Sequence, residues 1–220
     1  MRRWLPAAAV ALAAAAVYAR TAGFQFVYDD VPIILENDRL RAVARWPELL
    51  TNPWWPRGLY RPFTSLTLGL DWLIGGGSPV PFHCFNLVAH VGASLLVLAL
   101  AGTLLSPPAA LAAALLFAVH PIHVEAVASL VGRAEVLATI FAVAAALLYR
   151  AHGRTDLSPG KRRSVLTAGV LAAVLLALAS KESAFATPDS GERPCCSPRR
   201  GWCCGPGFSA GWPAIIRRPD

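Results

Sequence analysis

From Trp72 to Val124 the chain runs 53 residues without an Asp, Glu, Lys or Arg. A soluble protein of 220 residues needs solvated charge spread over its surface, so a gap of this length points to a chain that meets lipid. Composition agrees, with 55% hydrophobic against 15% charged residues. The expected fold class is therefore all-α, a polytopic membrane protein. The net charge of +7 does not indicate nucleic acid, because the basic residues form no stripe interleaved with aromatics. They gather at Arg2-Arg3, from Arg150 to Arg163, and in the tail.

A helix needs ~20 apolar residues to cross ~30 Å of hydrocarbon. On that rule spans are expected at about 5–22, 85–105, 109–127, 135–149 and 164–180. Ser106-Pro107-Pro108 marks the stop between the second and third. The first span opens like a signal peptide, but no convincing cleavage site follows, so an uncleaved span is expected. The stretch 63–74 is apolar yet too short to cross and carries Asp71, which suits an interfacial or re-entrant helix. Arg2-Arg3 places the N-terminus in the cytoplasm, and span parity returns the basic loop 150–163 to the same side. The long first loop (23–81), the turn from His120 to Glu135 and Lys181-Glu182 then share the external face.

The polar residues on that face are the candidate site, since ionisable groups near membrane depth are costly and usually functional. Asp29-Asp30 follows an aromatic patch, Phe24 to Tyr28. Like charges side by side disfavour double ionisation, so such a pair can supply a base or hold a divalent cation. It can equally be an ordinary acidic loop start. Arg61 suits phosphate pairing or anchoring at the headgroups. His83, Asn86 and His90 share one helix face at spacings of three and four. They read as metal ligands, substrate contacts or plain interhelical hydrogen bonds. His120, His123 and Glu125 can converge if the helix unwinds at Pro121. Zinc is the rival there, although the spacing is not His-Glu-x-x-His and no thiolate accompanies it. Arg133 and Glu135 read as a pair with each other or as substrate contacts, and Lys181 as a helix-end anchor or a phosphate contact, with no dedicated metal site assigned.

Tyr28-Asp29-Asp30, Tyr60-Arg61-Pro62, Phe82-His83-x-x-Asn86-x-x-x-His90, His120-Pro-Ile-His-Val-Glu-Ala-Val, Val131-Gly-Arg-Ala-Glu135 and Ser180-Lys-Glu-Ser183 occur in this order. Together they resemble the N-terminal membrane part of the transmembrane and tetratricopeptide-repeat O-mannosyltransferases and their bacterial relatives. The likeness covers about residues 1–188. It implies a GT-C-like membrane domain with a long first external loop, and transfer of a sugar from a polyprenyl-phosphate donor to a protein or peptide hydroxyl. The family's acidic catalytic centre maps onto Asp29 and Asp30. Arg61, His83, His90, His120, His123, Glu125, Arg133, Glu135 and Lys181 would contact substrate. With its alanine-rich spans, the chain is expected in a bacterial inner membrane with the site facing the periplasm or cell exterior.

Past Pro188 the character changes. From Asp189 to Asp220, 19 of 32 residues are Arg, Pro, Gly or Cys, including Cys195-Cys196 and Cys203-Cys204. Adjacent thiols lack zinc-motif spacing. GC-rich DNA read out of frame yields such a mixture, so 189–220 is expected to be an out-of-frame, disordered tail and the chain an inactive fragment of its family. Two other classes compete with the transferase. A transporter would set charges near the bilayer midplane with inverted repeats, and neither pattern occurs. A non-catalytic membrane scaffold would keep the fold alone.

Overall fold

A computed structural model describes residues 4–53, 59–153 and 161–182. Contacts divide the chain into Met1–Phe185 and Ala186–Asp220. The tail 189–220 lies outside the described residues, as do Arg2-Arg3 and residues 154–160 of the basic loop.

Among the described residues every regular element is helical. Helix α1, Leu5–Tyr18, has Pro6 in its first turn, where the missing N–H costs nothing, and an unbroken apolar run after it. A tighter turn carries it on to Gly23. The first loop folds into short pieces, among them α2 (Asp38–Arg41), capped by the Asn37 side chain, and α3 (Trp46–Thr51). Helix α4, Pro62–Gly75, has 14 residues and ends on Gly76 at φ +54°, the left-handed cap that glycine adopts without strain. At ~1.5 Å per residue it reaches about 21 Å, short of a bilayer crossing.

Helix α5, Val80–Ala101, is long enough to cross. Helix α6, Pro107–Val119, begins at the Pro-Pro stop and breaks at His120, whose extended backbone suits a residue preceding proline. The chain bends by 42° there into Pro121–Ala128, which holds α7, Val124–Ala128. Helices α8, Arg133–Gly153, and α9, Lys161–Ser180, pack along one another. Among the described residues, four helices are long and apolar enough to cross a membrane, or five counting the bent pair as one span. The protein is thus an all-α, polytopic integral membrane protein.

Small side chains let these helices close up, as is usual where lipid provides no hydrophobic drive. Val10 and Ala14 of α1 meet Ala114 and Ala118 of α6, with Leu95 and Leu98 of α5 packed alongside. A second core lies under the first loop, where Ile33, Ile34, Leu40 and Leu49 cover Leu68 of α4, Phe82 of α5 and Leu130-Val131. Long-range hydrogen bonds collect at this end of the bundle. Tyr18 Oη donates to His120 O (2.8 Å), Asn86 Nδ2 to Ser129 O (2.9 Å) and Thr64 Oγ1 to Ser180 O (2.9 Å). At the other end Arg150 Nη2 donates to Thr103 O (3.0 Å).

Candidate functional site

The site begins with a turn. Val27 to Asp30 closes a four-residue loop in which Asp30 N donates to Val27 O (2.9 Å), while Val27 N donates back to Asp30 Oδ2 (3.3 Å). The other carboxylate oxygen of Asp30 accepts from Leu130 N (3.1 Å) and Val131 N (3.2 Å), a hundred residues along the chain. Asp30 is fully buried. Burial pushes its carboxyl above the ordinary range, against the pull of the three N–H groups; the charge of Asp29 adds to the rise.

The segment that receives Asp30 is held from behind by α5. Asn86 Nδ2 is shared among the carbonyls of Val127, Ser129 and Leu130. Its Oδ1 accepts from Arg133 Nε (3.0 Å), and Arg133 Nη2 donates to Phe82 O (3.1 Å). The Arg133 guanidinium lies 4.4 Å from the Phe85 ring centroid and pairs with Asp71 of α4 at 2.5 Å. Both partners of that ion pair are buried. Gly132 completes the packing, since a Cβ there would lie 2.6 Å from Glu125 O and 2.9 Å from Ala126 Cα. Only glycine lets the 129–132 turn close against α7.

Between the turn and α7–α8 lies a cavity of about 520 Å³, within the range of small-ligand sites. Asp29, Arg61, His123, Glu125 and Glu135 bring charge or an imidazole to its wall; Ile122, Ala126, Ser129, Val131, Gly132, Ala134 and Thr139 supply the rest. Arg61, at the start of α4, makes a two-pronged contact with Glu182, Nε to Oε2 at 2.9 Å and Nη2 to Oε1 at 2.6 Å. Those bonds hold the Glu182 carboxyl below its ordinary value. Lys181 is ion-paired to Glu135. Burial, and next the Arg61 guanidinium, push its ammonium below the ordinary value. One end of α9 thus closes over the starts of α4 and α8 through two acid–base pairs.

The expected site residues divide into two groups. Asp29, Arg61, His123, Glu125 and Glu135 share the cavity wall, with Lys181 on Glu135. Asp30, His83, His90, His120 and Arg133 stand outside the lining. His83 is buried with its ring edge-on to Phe24, and His90 Nε2 meets Ala118 O at 3.0 Å beside the stacked Phe117 ring. His120 caps the turn after it, its Nδ1 accepting from Ile122 N (3.2 Å). Among the described residues no three His, Cys, Asp or Glu side chains are grouped so as to hold a metal ion. Sequence reasoning overlooked Asp71 as the partner of Arg133, although a lone acid in an apolar stretch was the available signal. It also gave Gly132 no role of its own, although Val131-Gly-Arg-Ala-Glu135 was among the motifs.

Fold and site together define a class: an all-helical integral membrane protein with an acid- and base-lined cavity at one end of its bundle. Against curated proteins, the chain is 38% identical over 179 residues to protein O-mannosyl-transferase Tmtc2 of Drosophila melanogaster, covering 77% of this chain and 19% of that protein. It is 38% identical over 159 residues to TMTC3 of Mus musculus, covering 69% and 17%, and 40% identical over 159 residues to TMTC1 of Homo sapiens, covering 66% and 18%. The chain belongs to the TMTC protein O-mannosyltransferase family. It spans less than a fifth of the length of these curated relatives. No family model matches the chain. No solved structure matches it either.

Proposed function

We propose that this chain carries the sugar-transfer site of a GT-C-type O-mannosyltransferase. The donor is mannose linked to a polyprenyl phosphate, the acceptor is a protein hydroxyl, and the cavity opens on the periplasmic or external face. One observation carries the reading: Asp29 and Arg61, from distant parts of the first loop, line a single cavity at one end of the helices. The relatives' names supply the sugar and the acceptor class.

The chemistry asks for a base on one side of the anomeric carbon and positive charge on the other. The Asp29 carboxylate takes the proton of the acceptor hydroxyl as its oxygen bonds to the anomeric carbon. The bond from that carbon to the phosphate oxygen breaks, its electron pair leaving with the polyprenyl phosphate. In-line attack inverts the sugar. Arg61, with Lys181 held nearby on Glu135, stabilises the phosphate as its charge grows. Glu125 and His123, on the same cavity wall, bind sugar hydroxyls. A resident divalent cation is not required by this scheme.

The test has two arms. In lipid nanodiscs the chain should bind polyprenyl-phosphate mannose, and Arg61→Ala should weaken that binding about tenfold. In a chimaera where this chain replaces the matching segment of the Drosophila relative, mannose should pass to a Ser/Thr peptide. There Asp29→Asn should slow transfer by about 10²–10⁴. Transfer at full rate by the Asp29→Asn chimaera would sink the proposal.

A further inference from the structure

Two adjacent aspartates meet very different surroundings here. Asp29 lines the cavity. Asp30 is fully buried and its two oxygens are already occupied by the N–H groups of Val27, Leu130 and Val131. A carboxylate accepting three backbone N–H groups has little capacity left for an acceptor hydroxyl. The residue before the pair adds an independent observation. Tyr28 has φ +47°, in the left-handed region that side chains other than glycine, asparagine and aspartate seldom adopt. It is the one non-glycine residue at positive φ among those described, and it is 93% exposed. No packing of the tyrosine ring accounts for that backbone. What holds it is the ring of hydrogen bonds closed by Asp30.

We infer that Asp30 is a positioning residue, a buried clamp that fastens the strained Tyr28 turn to Leu130-Val131 and thereby aims Asp29 into the cavity. The inference rests on the cavity being the transfer site. It divides the acidic pair: Asp29 meets substrate, and Asp30 sets where Asp29 stands. Strain at the neighbouring residue is held in place by the clamp, as expected where a side chain must be presented in one direction.

The clamp and the strain make opposing, measurable contributions. Asp30→Asn keeps the side-chain volume but offers a single carbonyl oxygen, so the amide group faces at least one N–H with another N–H. Tyr28→Gly removes no packing and relieves the positive φ, favouring the turn by about fivefold or more. The experiment uses the full chain in nanodiscs, with Asp29→Asn, Asp30→Asn, Tyr28→Gly and the Asp30→Asn/Tyr28→Gly double variant. Thermal unfolding is measured alongside carbodiimide labelling of carboxylates, read residue by residue by mass spectrometry, with and without polyprenyl-phosphate mannose.

In the unmodified protein Asp29 should label and be protected by the donor, while Asp30 stays unlabelled. Asp30→Asn should lower Tm and cut the donor's protection of Asp29 several-fold; adding Tyr28→Gly should restore most of both. Asp29→Asn should leave Tm unchanged. The clamp is overturned if Asp30→Asn changes neither Tm nor protection, or if Asp30 labels as readily as Asp29 and the donor protects it. Should the donor protect no carboxylate in the unmodified protein, the cavity's assignment to sugar transfer falls. The Tm cycle still decides whether Asp30 holds the turn.

Discussion

Arg133 is the residue on which most of this end of the molecule depends. It joins Asp71 of α4 and Asn86 and Phe82 O of α5, all buried, and lies over the half-buried ring of Phe85. Deleting one partner of a buried ion pair strands the other's charge, at a cost of about 3–5 kcal/mol. Arg133→Met and Asp71→Leu should therefore each destabilise the protein by about that amount in denaturant unfolding from mild detergent. The double variant should recover part of the loss. The remainder measures Asn86 Oδ1 and Phe82 O, which stay without their donor. Additive single losses would show that the two residues do not pair. At this scale the sequence marked Arg133 as unusual and left its role open. A charged residue's partner is a matter of three-dimensional packing, and 62 positions separate Arg133 from Asp71. Asp29 and Asp30 were indistinguishable for the same reason, because burial and three backbone donors set them apart.

Elements were far more legible than partners, because apolar runs and prolines act locally. The Pro-Pro stop starts α6, His120-Pro121 ends it, and Gly76 ends α4. Where helix bounds depart from the hydropathy pattern, the cause is polar residues that packing has buried. Helix α5 starts at Val80, five residues before the expected 85, because His83 and Asn86 sit inside the protein and not in water. The turn 129–132 carried no such local signal, yet it forms the floor between Asp30 and α7. Its closure rests on Gly132, where a Cβ would come within 2.6 Å of a backbone oxygen. Gly132→Ala should cost about 1–3 kcal/mol of stability, as overpacking does, since the clashing atoms are backbone and cannot swing aside. It should also speed proteolysis in the Glu125–Arg133 region, whereas Gly92→Ala on α5, where nothing lies near the added Cβ, should leave both measurements unchanged.

For the whole molecule, the decisive property is that, among the described residues, the ion pairs joining distant helices gather at one end of the bundle. Helix ends far apart in sequence meet there: Tyr18 with His120, Arg61 with Glu182, Lys181 with Glu135. A chain whose helices cross a bilayer must therefore expose this end on one aqueous face and the Ala101–Pro107 turn on the other. In a background with all five cysteines replaced by serine, Tyr28→Cys and Ile122→Cys report the cavity end, and Leu104→Cys reports the opposite end; all three positions are exposed. A membrane-impermeant maleimide added to sealed right-side-out vesicles should label positions 28 and 122 and spare 104. Inside-out vesicles should reverse the pattern. Labelling of 28 and 104 from the same side would mean that α1 and α5 do not place their ends on opposite faces, and the membrane-crossing arrangement would fail. Labelling of 28 and 122 from opposite sides would instead break the cavity. Those two positions lie on different segments of one charged end, so their shared sidedness is what allows Asp29 and His123 to meet a single ligand.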